Sequence, residues 1–168
     1  WMQTTLTPIL NEKGSISKIV AIDSNITELK NAEQEIKYKT KEITDSITYA
    51  KRIQRAILPH RNEIWAALPQ SFVLFKPKDI VSGDFYWFSN SDLKSEILIA
   101  AADCTGHGVP GAFTCLICSE KLTDAGKLSN DPGEILSAVN RSVKESLHQT
   151  ESKDSTKDGM DIALCSIN

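Results

Sequence analysis

From Ile26 to Leu58 the chain contains neither glycine nor proline, the two residues that most readily interrupt a helix. Within that stretch Leu29, Ile36, Ile43, Ala50 and Ile57 recur at seven-residue intervals, with Ala32, Ile47 and Ile53 beside the seam. A sustained heptad of this kind predicts a helix over residues 26–58 that pairs with a second copy as a parallel two-stranded coiled coil. Lys39 and Ser46 interrupt the second seam position, so a single amphipathic helix lying on its own domain is the plainer alternative. Asn25 with Glu28 three residues on has the form of a helix cap and its returning acid, and Pro59 supplies the stop.

The sequence on either side reads differently. Residues 3–11 and 16–23 form two β-like runs around the polar turn Asn11-Glu12-Lys13-Gly14-Ser15, which predicts a hairpin. Beyond Pro59, a short helix is expected over 63–68, then strands over 71–75 and 84–88, and a turn over 89–92. Residues 96–102 are a continuous apolar run, the pattern of a strand buried on both faces. A glycine-rich turn spans 103–110, with Pro110 placed to open the next helix. Asp131, Pro132 and Glu134 announce another helix, whose apolar face is Ile135, Leu136, Val139, Val143 and Leu147. A polar loop over 150–158 leads to a last strand over 160–167. Interspersed strands and helices predict a layered α+β domain.

Composition narrows the function classes. The chain has 168 residues, 40% of them hydrophobic and 24% charged, which suits a folded globular protein. A formal net charge of −3, with Lys51, Arg52 and Arg55 as the densest basic group, argues against a nucleic-acid partner. Cys104, Cys115, Cys118 and Cys165 lack the dense spacing of a disulfide scaffold, and a reducing cytoplasm is the expected location. Cys115 and Cys118 have half of a zinc-site spacing but no second pair, so buried thiols on one helix are expected. No apolar run is long enough to span a membrane, so any tether would lie upstream. The chain opens on Trp1 in a strand-like run and closes on another, which reads as a cut through domains at each end.

Chemistry concentrates in two places. Asp103 stands where the apolar strand gives way to the glycine-rich turn, held by rigid backbone yet facing open space. Gly106 and Gly108 let the chain turn sharply and leave backbone groups free to approach an ion or a phosphate. Asp84 follows Gly83 at the start of an aromatic-rich strand. Two such acids suit a hard divalent cation such as Mg²⁺ or Mn²⁺. On spacing alone, an Asp before a glycine-rich turn fits a turn former or helix cap as well as a ligand.

Four ordered stretches carry a resemblance. They are Ala50-Lys51-Arg52-Ile53-Gln54 with Ala56-Ile57-Leu58-Pro59; the run from Lys76 to Trp87, which holds Ser82-Gly83-Asp84-Phe85-Tyr86-Trp87; the run from Ala101 to Ala112, which holds Asp103-Cys104-Thr105-Gly106-His107-Gly108; and Asp158-Gly159-Met160-Asp161-Ile162-Ala163-Leu164. Together they resemble the first half of the SpoIIE-type branch of the metal-dependent (PPM) protein serine/threonine phosphatases. The resemblance implies an αββα sandwich, partial here, with a two-metal Mn²⁺ or Mg²⁺ centre between the sheets. It also implies direct hydrolysis of phosphoserine or phosphothreonine without a phosphoenzyme. Carried onto this sequence, Asp103 would bridge both metals, the Cys104 backbone carbonyl would complete one shell, and Asp84 would be the first motif's acid. His107 would donate a proton to the leaving alkoxide, although its place between two glycines fits a purely conformational role equally. Lys78 is a candidate phosphate contact, against the solvent exposure usual for a lysine. Asp158 and Asp161 match a structural strand of the family, Asp161 facing away from the metals. The family's remaining metal-binding aspartates come from motifs further along, so a fragment ending here would hold half a site and be inactive alone.

Residues 1–25 resemble the end of a PAS sensor domain, with Asn25-Ile26-Thr27 standing where the exit motif usually reads Asp-Ile-Thr. The expected organisation is a sensor remnant over 1–25, a signalling coiled coil over 26–58, and a truncated phosphatase domain over 59–168. The expected partners are a second copy through 26–58 and a phosphorylated regulatory protein, for which the resemblance suggests the anti-sigma-antagonist type. The alternative is a non-catalytic dimeric relay whose phosphatase-like part only binds a partner.

Overall fold

The computed structural model describes residues 1–90, 96–150, 155 and 157–167. Ser91 and Asp92 of the expected turn, and residues 151–154 and 156 of the expected loop, lie outside the described residues. The chain forms two compact units, Trp1–Asp45 and Ser46–Asn168.

In the first unit, β1 (Met2–Leu10) and β2 (Ile16–Asn25) make an antiparallel hairpin with Leu6 opposite Ala21. Asn11 closes it: its Oδ1 accepts from the backbone N–H of Lys13 and of Ser15, each at 3.0 Å, and Gly14 takes a φ of 75° that favours glycine. Helix α1 (Thr27–Ile57) follows, and the Asn25 side chain accepts from the Thr27 N–H at 3.1 Å. The helix matches the uninterrupted run that predicts it. Its seam is open, with Leu29 57%, Ile36 66% and Ile43 61% exposed.

The second unit contains the last turns of α1, then α2 (Arg61–Ala67), β3 (Phe85–Asn90), β4 (Ile97–Cys104), α3 (Gly108–Leu128), α4 (Pro132–Ser146) and β5 (Met160–Ile167). The strands form one antiparallel sheet in the order β3-β4-β5, so β4 is central. Phe85, Trp87, Leu98, Ala100, Ala102 and Cys104 are buried in one core cluster with Cys115, Cys118 and Leu122 of α3 and Ile135, Val139 and Val143 of α4. Burying a side chain such as Leu122 contributes about 1.5–3 kcal/mol. Helix α3 approaches the sheet closely because Gly126 has no side chain: a Cβ there would stand 2.8 Å from the Trp87 ring. Trp87 in turn donates its indole N–H to Thr123 Oγ1 at 3.0 Å. Asp131 caps α4 as its sequence suggests, its Oδ1 accepting from the Glu134 N–H at 2.8 Å.

Three expectations are corrected. Residues 71–75 are extended but belong to no strand among the described residues. Their exposure alternates, leaving Phe72 and Leu74 84% and 83% exposed, while Phe75 meets the Tyr86 ring edge-on at 5.5 Å. The two-residue period specifies an extended chain; only a neighbouring strand makes it part of a ladder. Next, β4 is buried on one face only, its burial alternating as Ala100, Ala102 and Cys104 point inward and Ala101 and Asp103 outward. Finally, α3 begins at Gly108 with His107 at its cap, so Pro110 sits inside the first turn, where no backbone N–H is required. The α+β class stands: one sheet with one helical layer, a partial sandwich. No helix among the described residues is long and apolar enough to cross a membrane.

Candidate metal centre

Strand register brings three carboxylates into line. Phe85 pairs with Ala102, which sets Asp84 opposite Asp103 one step further along. Asp103 pairs with Asp161 on the other side. Directly paired residues share a sheet face, and all three acids line one exposed cleft with Phe75, Lys76 and Tyr86. Asp161 therefore does not face away from Asp103. Its alternation with Ile162 and Leu164 marks it as an outward residue, but only the β4–β5 register shows which acid it meets. Asp103 itself lies within β4, because pairing with β5 continues through Cys104 and Met160.

Behind this edge, backbone packs on backbone. Gly106 and Gly108 adopt φ values of 87° and 62°, and a Cβ at Gly83 would stand 2.6 Å from the Gly106 carbonyl oxygen and 3.1 Å from that of Cys104. Gly83, Gly106 and Gly111 thus fit together only because none has a side chain. The loop before β3 is held from α1. Gln54, only 5% exposed, donates its Nε2–H to the Ser82 carbonyl at 2.6 Å and accepts the Ser82 N–H on its Oε1 at 3.0 Å. Ser82 Oγ then accepts from the Asp84 N–H at 3.0 Å. A buried glutamine on the helix therefore fixes the backbone two residues before Asp84.

The electrostatics suit a cation. Burial pushes the Asp84 carboxyl above the usual carboxylate range, and a hydrogen bond from Asp103 and that neighbour's charge add to it. Two carboxylates in hydrogen-bond contact repel when both ionise, and a shared proton or a divalent cation removes the conflict. Oxygen donors on rigid backbone, with the Cys104 carbonyl nearby, are the donor chemistry that Mg²⁺ or Mn²⁺ takes. The donor set is incomplete: among the described residues, no group of three or more His, Cys, Asp or Glu is arranged to hold a metal ion.

The remaining residues fall outside this cleft. Lys78 is exposed and does not line it; its lysine is Lys76, and Lys157 flanks the adjoining recess beside Asp103 and Asp161. His107 turns its Nδ1 to Asp79 Oδ2 at 2.9 Å. Cys104, Cys115 and Cys118 are buried without disulfides, and burial pushes the Cys115 thiol up to about 11. They are packing groups, as their single-helix spacing suggests for the last two.

A family model described as Stage II sporulation protein E (SpoIIE) matches residues 94–166. The solved SiaA-PP2C domain of Pseudomonas aeruginosa superposes with a TM-score of 0.64 at 36% identity, over 75% of this chain and 49% of that one. The chain is similar to the SpoIIE and PP2C proteins. Both matches support the metal-dependent protein phosphatase family, and the superposition shows a partial PP2C-type fold. The chain spans about half the length of the structure it matches. A search of curated proteins finds no match.

Proposed function

We propose that this chain supplies one side of the active centre of a divalent-metal-dependent protein phosphatase that hydrolyses phosphoserine or phosphothreonine on a regulatory protein. The observation that carries this reading is the Asp84–Asp103 pair, two adjacent carboxylates at the end of a sheet with Asp84 held above the usual carboxylate range, in a chain similar to the SpoIIE and PP2C proteins. Asp84, Asp103 and the Cys104 carbonyl would hold Mn²⁺ or Mg²⁺, which supplies charge neutralisation on the transferring phosphoryl group. The chain's own residues fix the acids in place: Gln54 through Ser82, and the three packed glycines through backbone contact. A phosphorylated regulatory partner of the anti-sigma-antagonist type fits the family resemblance, and Lys76 and Lys157, which line recesses shared with the acids, would meet its phosphate. The full-length gene product should release phosphate from a phosphoserine protein in Mn²⁺, and Asp103→Asn should abolish it. Unchanged turnover in that variant would remove the reading.

The same proposal extends to regulation. The open seam of α1 supports pairing with a second copy, and Gln54 at the end of that helix gives the pairing a route to Asp84. A buried charge at Ile43 should abolish it, so Ile43→Asp should convert a dimer to a monomer in sedimentation. A wild-type monomer would end the coiled-coil reading. The incomplete donor set favours one second reading, a relay that binds a partner without turnover. In that case the full-length protein would bind phosphoprotein and release no phosphate.

A further inference from the structure

Phe75 and Tyr86 belong to two recesses at once. One is the cleft that holds Asp84 and Asp103; the other, of about 330 Å³, is walled by Arg55, His60 and Arg61. The two rings meet edge-on at 5.5 Å, and the Tyr86 hydroxyl donates to the Pro59 carbonyl at 3.3 Å. The shared wall is thereby tied to the turn between α1 and α2. That turn also gathers the basic groups: Arg55 from the last turn of α1, His60 from the link, and Arg61 from the start of α2. No acidic residue lines the recess. Among the described residues none of the three cations has an acidic partner either. The His60 side chain makes no capping hydrogen bond, and Arg61 gives only a 3.5 Å hydrogen bond to the Val73 carbonyl. Convergent guanidinium groups without an internal counter-charge favour an anion from outside, and their planar fork suits a carboxylate.

The sheet sets the spacing between the two recesses. Phe85 and Trp87 point into the core, whereas Asp84 is exposed and Tyr86 half-buried on the opposite face. Two positions along a strand amount to about 7 Å. A peptide bound in extended form advances at the same rate, about 3.3 Å per residue. We infer that the Arg55–His60–Arg61 recess takes an acidic side chain of the phosphoprotein substrate, two or three residues from the phosphoserine held at the acid cleft. The recess then selects substrates by their flanking charge, a task separate from that of Lys76, which lines the cleft and not the recess. This inference rests on the phosphatase reading for the phosphoserine but not for the cationic recess.

Short phosphoserine peptides test it with the full-length protein in Mn²⁺. Each carries either two glutamates or two lysines, placed two and three residues before or after the phosphoserine, with alanine elsewhere. In one of the two placements kcat/KM for the glutamate peptide should exceed that for the lysine peptide by about tenfold or more. The excess should shrink as ionic strength rises from about 0.05 to about 0.5 M. Combining Arg55→Gln with Arg61→Gln, which keeps a donor for the Val73 carbonyl, should bring the ratio below about twofold. Arg55→Lys keeps the charge and should retain most of it. A wild type that turns over all the peptides alike overturns the inference and leaves the phosphatase reading standing, as does a preference unchanged in the double variant. A full-length protein that hydrolyses neither these peptides nor p-nitrophenyl phosphate overturns that reading. Fluorescence anisotropy of the same labelled peptides then decides the recess: tighter binding of the glutamate peptide, lost in the double variant, supports it, and equal affinities overturn it.

Discussion

Replacing Gln54 by alanine should unfold the second unit more easily by an amount the structure sets. Both polar atoms of the side chain are committed, at 2.6 and 3.0 Å, to the backbone C=O and N–H of Ser82, and both residues are buried. The substitution leaves two buried backbone groups without their partners. An unsatisfied buried polar group costs about 1–3 kcal/mol, and partial hydration of the vacated space keeps the sum toward the lower end, about 2–4 kcal/mol. Urea denaturation of the chain followed by tryptophan fluorescence and by circular dichroism measures it, with an unchanged slope expected. A loss under about 0.5 kcal/mol would mean that Gln54 does not hold the loop. Gln54→Glu gives a sharper version. Its carboxylate still accepts from the Ser82 N–H but opposes the Ser82 carbonyl, so only the protonated acid restores both contacts. The folded-state pKa of that glutamate should then lie above its unfolded value of about 4.3, and the variant should regain stability as pH falls through that window.

Two further outcomes follow from the same region. Gly111→Ala would drive a Cβ into the Gly106 carbonyl, backbone against backbone with no rotamer to yield, and should cost about 1–3 kcal/mol or more in chemical denaturation. Asp84→Asn removes a carboxylate whose folded-state pKa is raised by burial and by Asp103, so without metal it should stabilise the chain at neutral pH. Asp84 is exposed, and solvent screening holds the gain to about 1 kcal/mol or less. A raised carboxyl pKa makes wild-type stability fall as pH rises from the unfolded value through the folded one. The advantage of the variant should therefore vanish in acid, and a thermal melt at neutral and acidic pH checks both signs.

Local signals were legible in the sequence and long-range ones were not. The glycine- and proline-free run predicts α1, and the Asp131 cap predicts the start of α4, because each depends on residues within one or two turns. The apolar strand-like run at the end of the chain predicts β5 for the same reason. Residues 71–75 carry a strand pattern, but a ladder needs a neighbour that no local pattern contains. Asp84 and Asp103 were visible from the glycines beside them. Asp161 depended on pairing across β4 and β5, Asp79 on a partner 28 positions away, and Gln54 on reaching Ser82 over the same separation. Lys78 is a candidate phosphate contact by resemblance alone, whereas the cleft is lined by Lys76. Spacing finds residues that share a turn; only the assembled sheet shows which of them share a face.

The most direct test of the central claim is a calorimetric titration of Mn²⁺ into this chain and its Asp84→Asn and Asp103→Asn variants. If the paired carboxylates are one side of a metal centre, the wild type binds with a saturable isotherm. Each variant should then lose at least about tenfold in affinity. Equal binding by all three proteins, or no saturable binding by the wild type, would contradict it.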